Sequence, residues 1–347
     1  MDKVIEIPSV SEEMIQQMKQ HVDQLTKPVG SLGQLEEIMV RLAGITGEMF
    51  PELRQKAIVI FCGDHGVAAE GVSAYPQEVT ALMMQNFDRG KAAINLLSQR
   101  AGAKLCVVDV GSKLEEVPAS VVNARVRNGT RNFCREKAMT DEEVMKAIQA
   151  GRKSVARLRE QGVRLLAVGE LGIGNTTAGA AVAAALTGLE VSRVTGRGSG
   201  LSDSAYAHKC KVIERALLKH RPDPNRPLEV LAQVGGLEIA GMAGAYIGAA
   251  ENRMPVIMDG FISTVAALAA ARWKPEIKPY LFASHVSVEP GHALILRELG
   301  KKPLLQADMR LGEGSGAALV MPIFETAVTL AREMATFADL GLTDSRV

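Results

Sequence analysis

Short unbroken apolar runs alternate along the chain with stretches whose apolar residues recur every three or four positions. The runs lie within "AIVIFCGDHG" (57–66), "KLCVVDVG" (104–111), "VRLLAVGELG" (163–172), "PVIMDG" (255–260) and "PYLFASH" (279–285). Each closes in a turn bearing Gly, Asp or Ser, and a helical pattern follows. Unbroken apolar strands between helices predict a sheet buried on both faces. The expected fold class is α/β: a parallel, Rossmann-like sheet with helices on both faces. Ligands of such sheets bind beyond the carboxyl ends of the strands, where these turns gather.

The two ends read differently. "SEEMIQQMKQHVDQLTKP" (11–28) is a charged amphipathic helix, with Ser11 placed as its N-cap. "SLGQLEEIMVRLAGITGEMF" (31–50) continues as helix, and so does "MPIFETAVTLAREMATFADLGL" (321–342). Two helical ends around an α/β centre predict a small helical domain from residues 1–50 with 325–347, beside a large catalytic domain over 51–324. "KHRPDPNRP" (219–227) is read as a surface loop. There is no internal repeat and no low-complexity tract.

Composition narrows the function. Of 347 residues, 47% are apolar and only 4% aromatic, so small aliphatic side chains must build the core. The net charge of +1, with no basic block interleaved with aromatics, argues against nucleic-acid partners. The longest small-apolar run, residues 178–186, is too short to cross a bilayer, and the acidic start does not read as a signal peptide. Cys62 and Cys106 sit in apolar runs and are expected to be buried free thiols. A cytoplasmic protein without membrane contact is expected.

Four stretches can carry chemistry. "VGELGIGNTTAG" (168–179) is a strand, a glycine loop and a helix start, whose N–H groups suit a phosphate. It is neither a dinucleotide fingerprint nor a P-loop. A tight turn that needs glycine would look the same. "VTGRGSGLSDSAYAHK" (194–209) brings Lys209 after a second glycine cluster, fitting either a phosphate contact or a solvated loop. In residues 62–87, Asp64, His65 and Glu70 lie close in sequence, but the histidine spacings do not suit zinc. The same segment offers Ser73, Tyr75, Met83 and Met84 as an apolar ring pocket or as ordinary core. Finally, "LGEGSGAALV" (311–320) sets one acid, Glu313, between two glycines. It could cap a helix or serve as a general base.

In their order, "TKPVGSLGQLE", "GDHGVAAEGVSAYPQEVT", "GELGIGNTTA", "GRGSGL", "MDGFISTVAAL" and "MRLGEGSGAALVMP" resemble the nicotinate-nucleotide–dimethylbenzimidazole phosphoribosyltransferase family over about residues 10–340. The resemblance implies transfer of phosphoribose from nicotinate mononucleotide to 5,6-dimethylbenzimidazole, giving α-ribazole 5′-phosphate and nicotinate. It implies Glu313 as catalytic base and Glu170 as a second active-site carboxylate. The nucleotide and its phosphate would meet Gly172, Gly174, Asn175, Gly198, Lys209 and Ser287. The benzimidazole would meet Ser73, Tyr75, Gln85 and Leu311. It also implies a homodimer, with no cofactor and no metal.

Nicotinate leaves from a pyridinium nitrogen, so the burden of proton transfer falls on the incoming base, whose ring N–H one carboxylate can accept. Two rivals remain at this stage. One is a phosphoribosyl-diphosphate-dependent transferase, against which stands the lack of paired acids before a TGGT-like loop. The other is a non-catalytic sensor of nucleotide or benzimidazole, which would have no use for a poised base.

Overall fold

The computed structural model describes residues 5–198 and 200–342. Among them, seven strands form one parallel sheet: β1 Lys56–Gly63, β2 Ala103–Gly111, β3 Val122–Asn123, β4 Leu165–Leu171, β5 Val256–Met258, β6 Leu281–Val286 and β7 Pro303–Gln306. Their order is β3-β2-β1-β4-β5-β6-β7. The chain winds outward in one direction from β1 and in the other from β4. Their neighbouring carboxyl ends, with Cys62 beside Leu171, therefore flank the crevice where this class of sheet takes its ligands.

Strands β1, β5 and most of β4 are buried, as their unbroken apolar runs require. The edges are poorer. β3 covers only Val108 and Asp109 of β2, so the start of β2 stays partly open. Cys106 lies in that part and is only half-buried, unlike Cys62, which is fully buried. The expectation of a buried thiol therefore fails at Cys106, because a two-residue edge strand cannot shield it.

Small residues let the covering layer approach closely. The helices Asp141–Glu160 and Leu237–Glu251 pack with almost no side chain between them at one point: a Cβ on Gly244 would overlap the Ile148 carbonyl. This is how a core poor in aromatics reaches interior density.

The two ends meet. Helices Glu12–Gln24 and Gln34–Thr46 pack together beside the helix Ser315–Glu333. Leu25 and Thr336 form an antiparallel bridge, Thr26 N–H donates to the Ala335 carbonyl at 3.0 Å, and Phe337 N–H to the Gln24 carbonyl at 2.9 Å. Ser11 caps its helix, its Oγ accepting from Met14 N–H at 3.2 Å. The helix Ser315–Glu333 runs unbroken past residue 324, from the sheet's carboxyl edge into this helical layer. No helix among the described residues is long and apolar enough to cross a membrane.

Candidate active site

The loop before the helix Ser315–Glu333 holds the lone acid. Gly312, Glu313 and Gly314 all have positive φ, at 83°, 62° and 81°. Glycine takes that conformation freely, while a side chain pays about 1–2 kcal/mol for it. Strain at a single non-glycine residue between two glycines points to a positional demand on its side chain. The loop lies directly over β4, since a Cβ on Gly169 would overlap the Gly314 nitrogen.

Glu313 does not cap the helix. Another acid does. Asp259, just past β5, accepts from Gly314 N–H at 3.1 Å and Ala317 N–H at 3.0 Å. That leaves the Glu313 carboxylate unengaged: it is 5% exposed, and its Oε2 finds no hydrogen-bond partner among the described residues. Burial, with the negative charge of Asp259 nearby, raises its pKa to about 7. A carboxyl group with that value and no competing partner has the properties of a general base.

Glu170, near the end of β4, reaches the same place. A Cβ on Gly312 would stand 2.5 Å from its Oε1. Its Oε2 accepts from the Asn175 side chain. Burial pushes the Glu170 carboxyl well up, and Asp259, Glu238 and Glu313 add repulsion. Glu170, Glu313 and Asn175 thus come together at the junction of β1 and β4.

The glycine loops lie beside these carboxylates. Gly174, at φ 98°, is the N-cap of the helix Asn175–Thr187. The next residues divide their work: Asn175 holds Glu170, while Thr176 Oγ1 accepts from the buried Lys209 ammonium at 2.9 Å. Lys209 also donates to the Gly196 carbonyl at 3.1 Å. Gly198 lies against both, since a Cβ there would stand 3.0 Å from Thr176 Oγ1 and 3.6 Å from Lys209 Nζ. Burial lowers the Lys209 pKa to about 8. Ser287 N–H donates to His292 Nδ1 at 2.8 Å, which puts the ring proton on Nε2, facing Thr264 Oγ1 at 2.9 Å. Burial keeps His292 neutral, with a pKa of about 3.

The segment 62–87 resolves into separate tasks. Asp64 accepts from Lys113 N–H, His65 pairs with the buried Glu238 at 2.7 Å, and Glu70 binds Arg215 and Asn132. Among the described residues, no group of three or more His, Cys, Asp or Glu is arranged to hold a metal ion. Met84 is fully buried in the core, so it cannot line a ring pocket; Met83 is partly buried. Ser73 and Gln85 are partly buried, while Tyr75 and Leu311 are each 54% exposed. Ser73 Oγ accepts from Tyr75 N–H at 3.2 Å. Gly172 packs over the carboxyl end of β1, where a Cβ would overlap the Gly63 carbonyl.

A family model described as phosphoribosyltransferase matches residues 7–342. A nicotinate-nucleotide–dimethylbenzimidazole phosphoribosyltransferase of Desulforamulus reducens is 52% identical over 332 residues, 94% of each chain. One of Geobacter sp. strain M21 is 48% identical over 338 residues, 97% of each. The chain belongs to the nicotinate-nucleotide–dimethylbenzimidazole phosphoribosyltransferase family. A crystal structure of the Thermus thermophilus enzyme of that name superposes with a TM-score of 0.91 at 44% identity, covering 96% of this chain and all of the other.

Within this family fold, three groups at the site escaped the sequence reading. Asp259 stands in the quoted "MDGFISTVAAL", and its only signal is an acid directly after a strand. Thr176 sits beside the assigned Asn175, but its contact with Lys209 spans 33 positions. Glu289, in "VSVEPG", carries no pattern at all; a Cβ on Gly196 would overlap its carboxylate.

Proposed function

We propose that this phosphoribosyltransferase moves phosphoribose from nicotinate mononucleotide to 5,6-dimethylbenzimidazole, releasing nicotinate and α-ribazole 5′-phosphate. The observation that carries this reading is the buried Glu313 carboxyl, whose Oε2 has no hydrogen-bond partner among the described residues and whose pKa is raised to about 7. In the proposed reaction, Glu313 takes the ring N–H proton of the benzimidazole as the other ring nitrogen bonds to the sugar. The bond from the sugar to the nicotinate nitrogen breaks, and its electron pair leaves with nicotinate. Attack on the face opposite the leaving group inverts the β-nucleotide to an α-nucleotide.

Glu170 is assigned to the cationic sugar carbon. Burial and its acidic neighbours hold it towards the neutral form. A pyridinium substrate brings in positive charge and favours the carboxylate, so ionisation and substrate binding support each other. Gly172, Gly174, Asn175, Gly198, Lys209 and Ser287 are assigned to the nucleotide and its phosphate. Ser73, Tyr75, Gln85 and Leu311 are assigned to the flat base. The exposed Tyr75 and Leu311 suit a ring that covers them on binding. The helical layer of 1–50 with 325–347 is proposed as a small domain, the working form as a homodimer, and the location as cytoplasmic.

The deciding experiment mixes the protein with nicotinate mononucleotide and dimethylbenzimidazole and follows free nicotinate by chromatography. Release dependent on both is expected. Binding of both without release would favour a sensor and overturn the reading.

The phosphate assignment has its own test. Lys209→Ala removes a charge-assisted contact, so the KM for nicotinate mononucleotide is expected to rise about tenfold or more. The KM for the base should change far less. An unchanged nucleotide KM removes Lys209 from the site.

A further inference from the structure

The loops assigned to the phosphate already serve an anion of the chain itself. Burial raises the Glu289 carboxyl, while the charge of Lys209, the Gly198 N–H that donates to it and the charge of Arg310 favour its ionised form. Glu289 N–H donates to Ser287 Oγ at 3.3 Å, and its carbonyl accepts from His292 N–H at 3.0 Å. The carboxylate lies so tightly on Gly196 that no side chain fits there. Two residues assigned to the phosphate, Gly198 and Lys209, therefore face the Glu289 carboxylate, and a third, Ser287, holds its backbone N–H.

The arrangement is unsaturated. Lys209 uses two of its three ammonium donors, on Thr176 and Gly196. Among the described residues, Glu289 Oε2 has no hydrogen-bond partner. A buried carboxylate oxygen without a donor costs free energy. An arriving phosphate can accept the third Lys209 proton and the Gly198 N–H together, but it cannot share that small volume with a second anion.

We propose that Glu289 is a resident anion of the phosphate site, holding the Gly198 N–H and facing Lys209 until a substrate phosphate displaces it. The inference rests on the phosphate assignment made above. Displacement frees the loop around Gly196 and Gly198 from its contact with the residues after β6. Repulsion from the displaced carboxylate then weakens the hold on the phosphorylated product and so speeds its release.

The test measures dissociation constants by calorimetry for nicotinate mononucleotide, for inorganic phosphate and for nicotinate riboside, which lacks the phosphate. The proteins are the unsubstituted chain, Glu289→Gln, Glu289→Ala and Lys209→Ala. Gln keeps the length and removes the charge; Ala removes both. Mononucleotide and phosphate are expected to bind about fivefold tighter to the Glu289 variants, with the riboside unchanged. Tightening in either variant supports the proposal. Unchanged or weaker phosphate binding in both overturns it, provided Lys209→Ala weakens binding as assigned. An unchanged constant in Lys209→Ala overturns the phosphate assignment and the resident anion with it.

Discussion

Glu313→Gln is expected to lower turnover by about 10²–10⁴-fold while nicotinate mononucleotide still binds. Gln keeps the length and shape of the side chain and removes only its basicity. Because Asp259 makes the cap, loss of the Glu313 charge takes no bond away from the helix Ser315–Glu333. In the unsubstituted enzyme, kcat/KM should rise with pH and level off above about 7, the pKa that burial and Asp259 give this carboxyl in the free protein. The sign for stability is the reverse. A pKa raised on folding means that the folded chain holds the proton more tightly than the unfolded one. Stability from this group is thus present below the ordinary carboxyl value and is lost as pH rises through about 7. At pH 8, Glu313→Gln should melt higher than the parent. Glu313→Gly should do so as well, since it also removes the strain of a side chain at φ 62°. Near-normal turnover in the Gln variant would falsify the assignment of the base.

The second large effect is expected at Asp259. In Asp259→Ala, the Gly314 and Ala317 N–H groups lose their acceptor in a buried place, at a cost of about 2–4 kcal/mol. The melting temperature should fall, and turnover should fall with it as the Glu313 loop loosens. Asp259→Asn removes the charge and keeps part of the cap. Gly314 N–H and Ala317 N–H bond to different oxygens of Asp259, so the single amide oxygen can accept from only one of them. Ionised Glu313 then becomes easier to form, so the acid limb of the kcat/KM profile should move to lower pH. A profile that stays in place in Asp259→Asn would confine Asp259 to a structural role.

Much of this was legible in the chain. The five long apolar runs stand out because a strand buried on both faces needs no polar alternation. The strands β3 and β7 did not, since one is two residues long and the other is a half-buried edge beginning in proline. Glu313 was visible as an acid set between glycines, while Glu170 came only from the family resemblance. What the sequence left undecided was whether Glu313 caps or catalyses. That depends on Asp259, 54 positions earlier, which takes the cap only because β5 ends beside the Glu313 loop. The Met83–Met84 pair was left open between pocket and core, and only Met84 is fully buried: helical spacing marks a buried face but does not say whether core or ligand lies against it.

The unbroken helix from the Glu313 loop to the joined termini has one further consequence. Nineteen residues at about 1.5 Å each span about 28 Å, with Pro322 inside the helix, where it lacks the N–H for one backbone bond. The helix packs along its length against the helical layer of the two ends and against the sheet, so both ends share one packed element. The seam between the chain's two ends and the Glu313 loop are therefore expected to open together. On heating, activity is expected to vanish in the same transition that opens the Leu25–Thr336 seam, ahead of the sheet, so that amide exchange at Thr26 and Phe337 reports on the reach of a side chain at the far end of the helix.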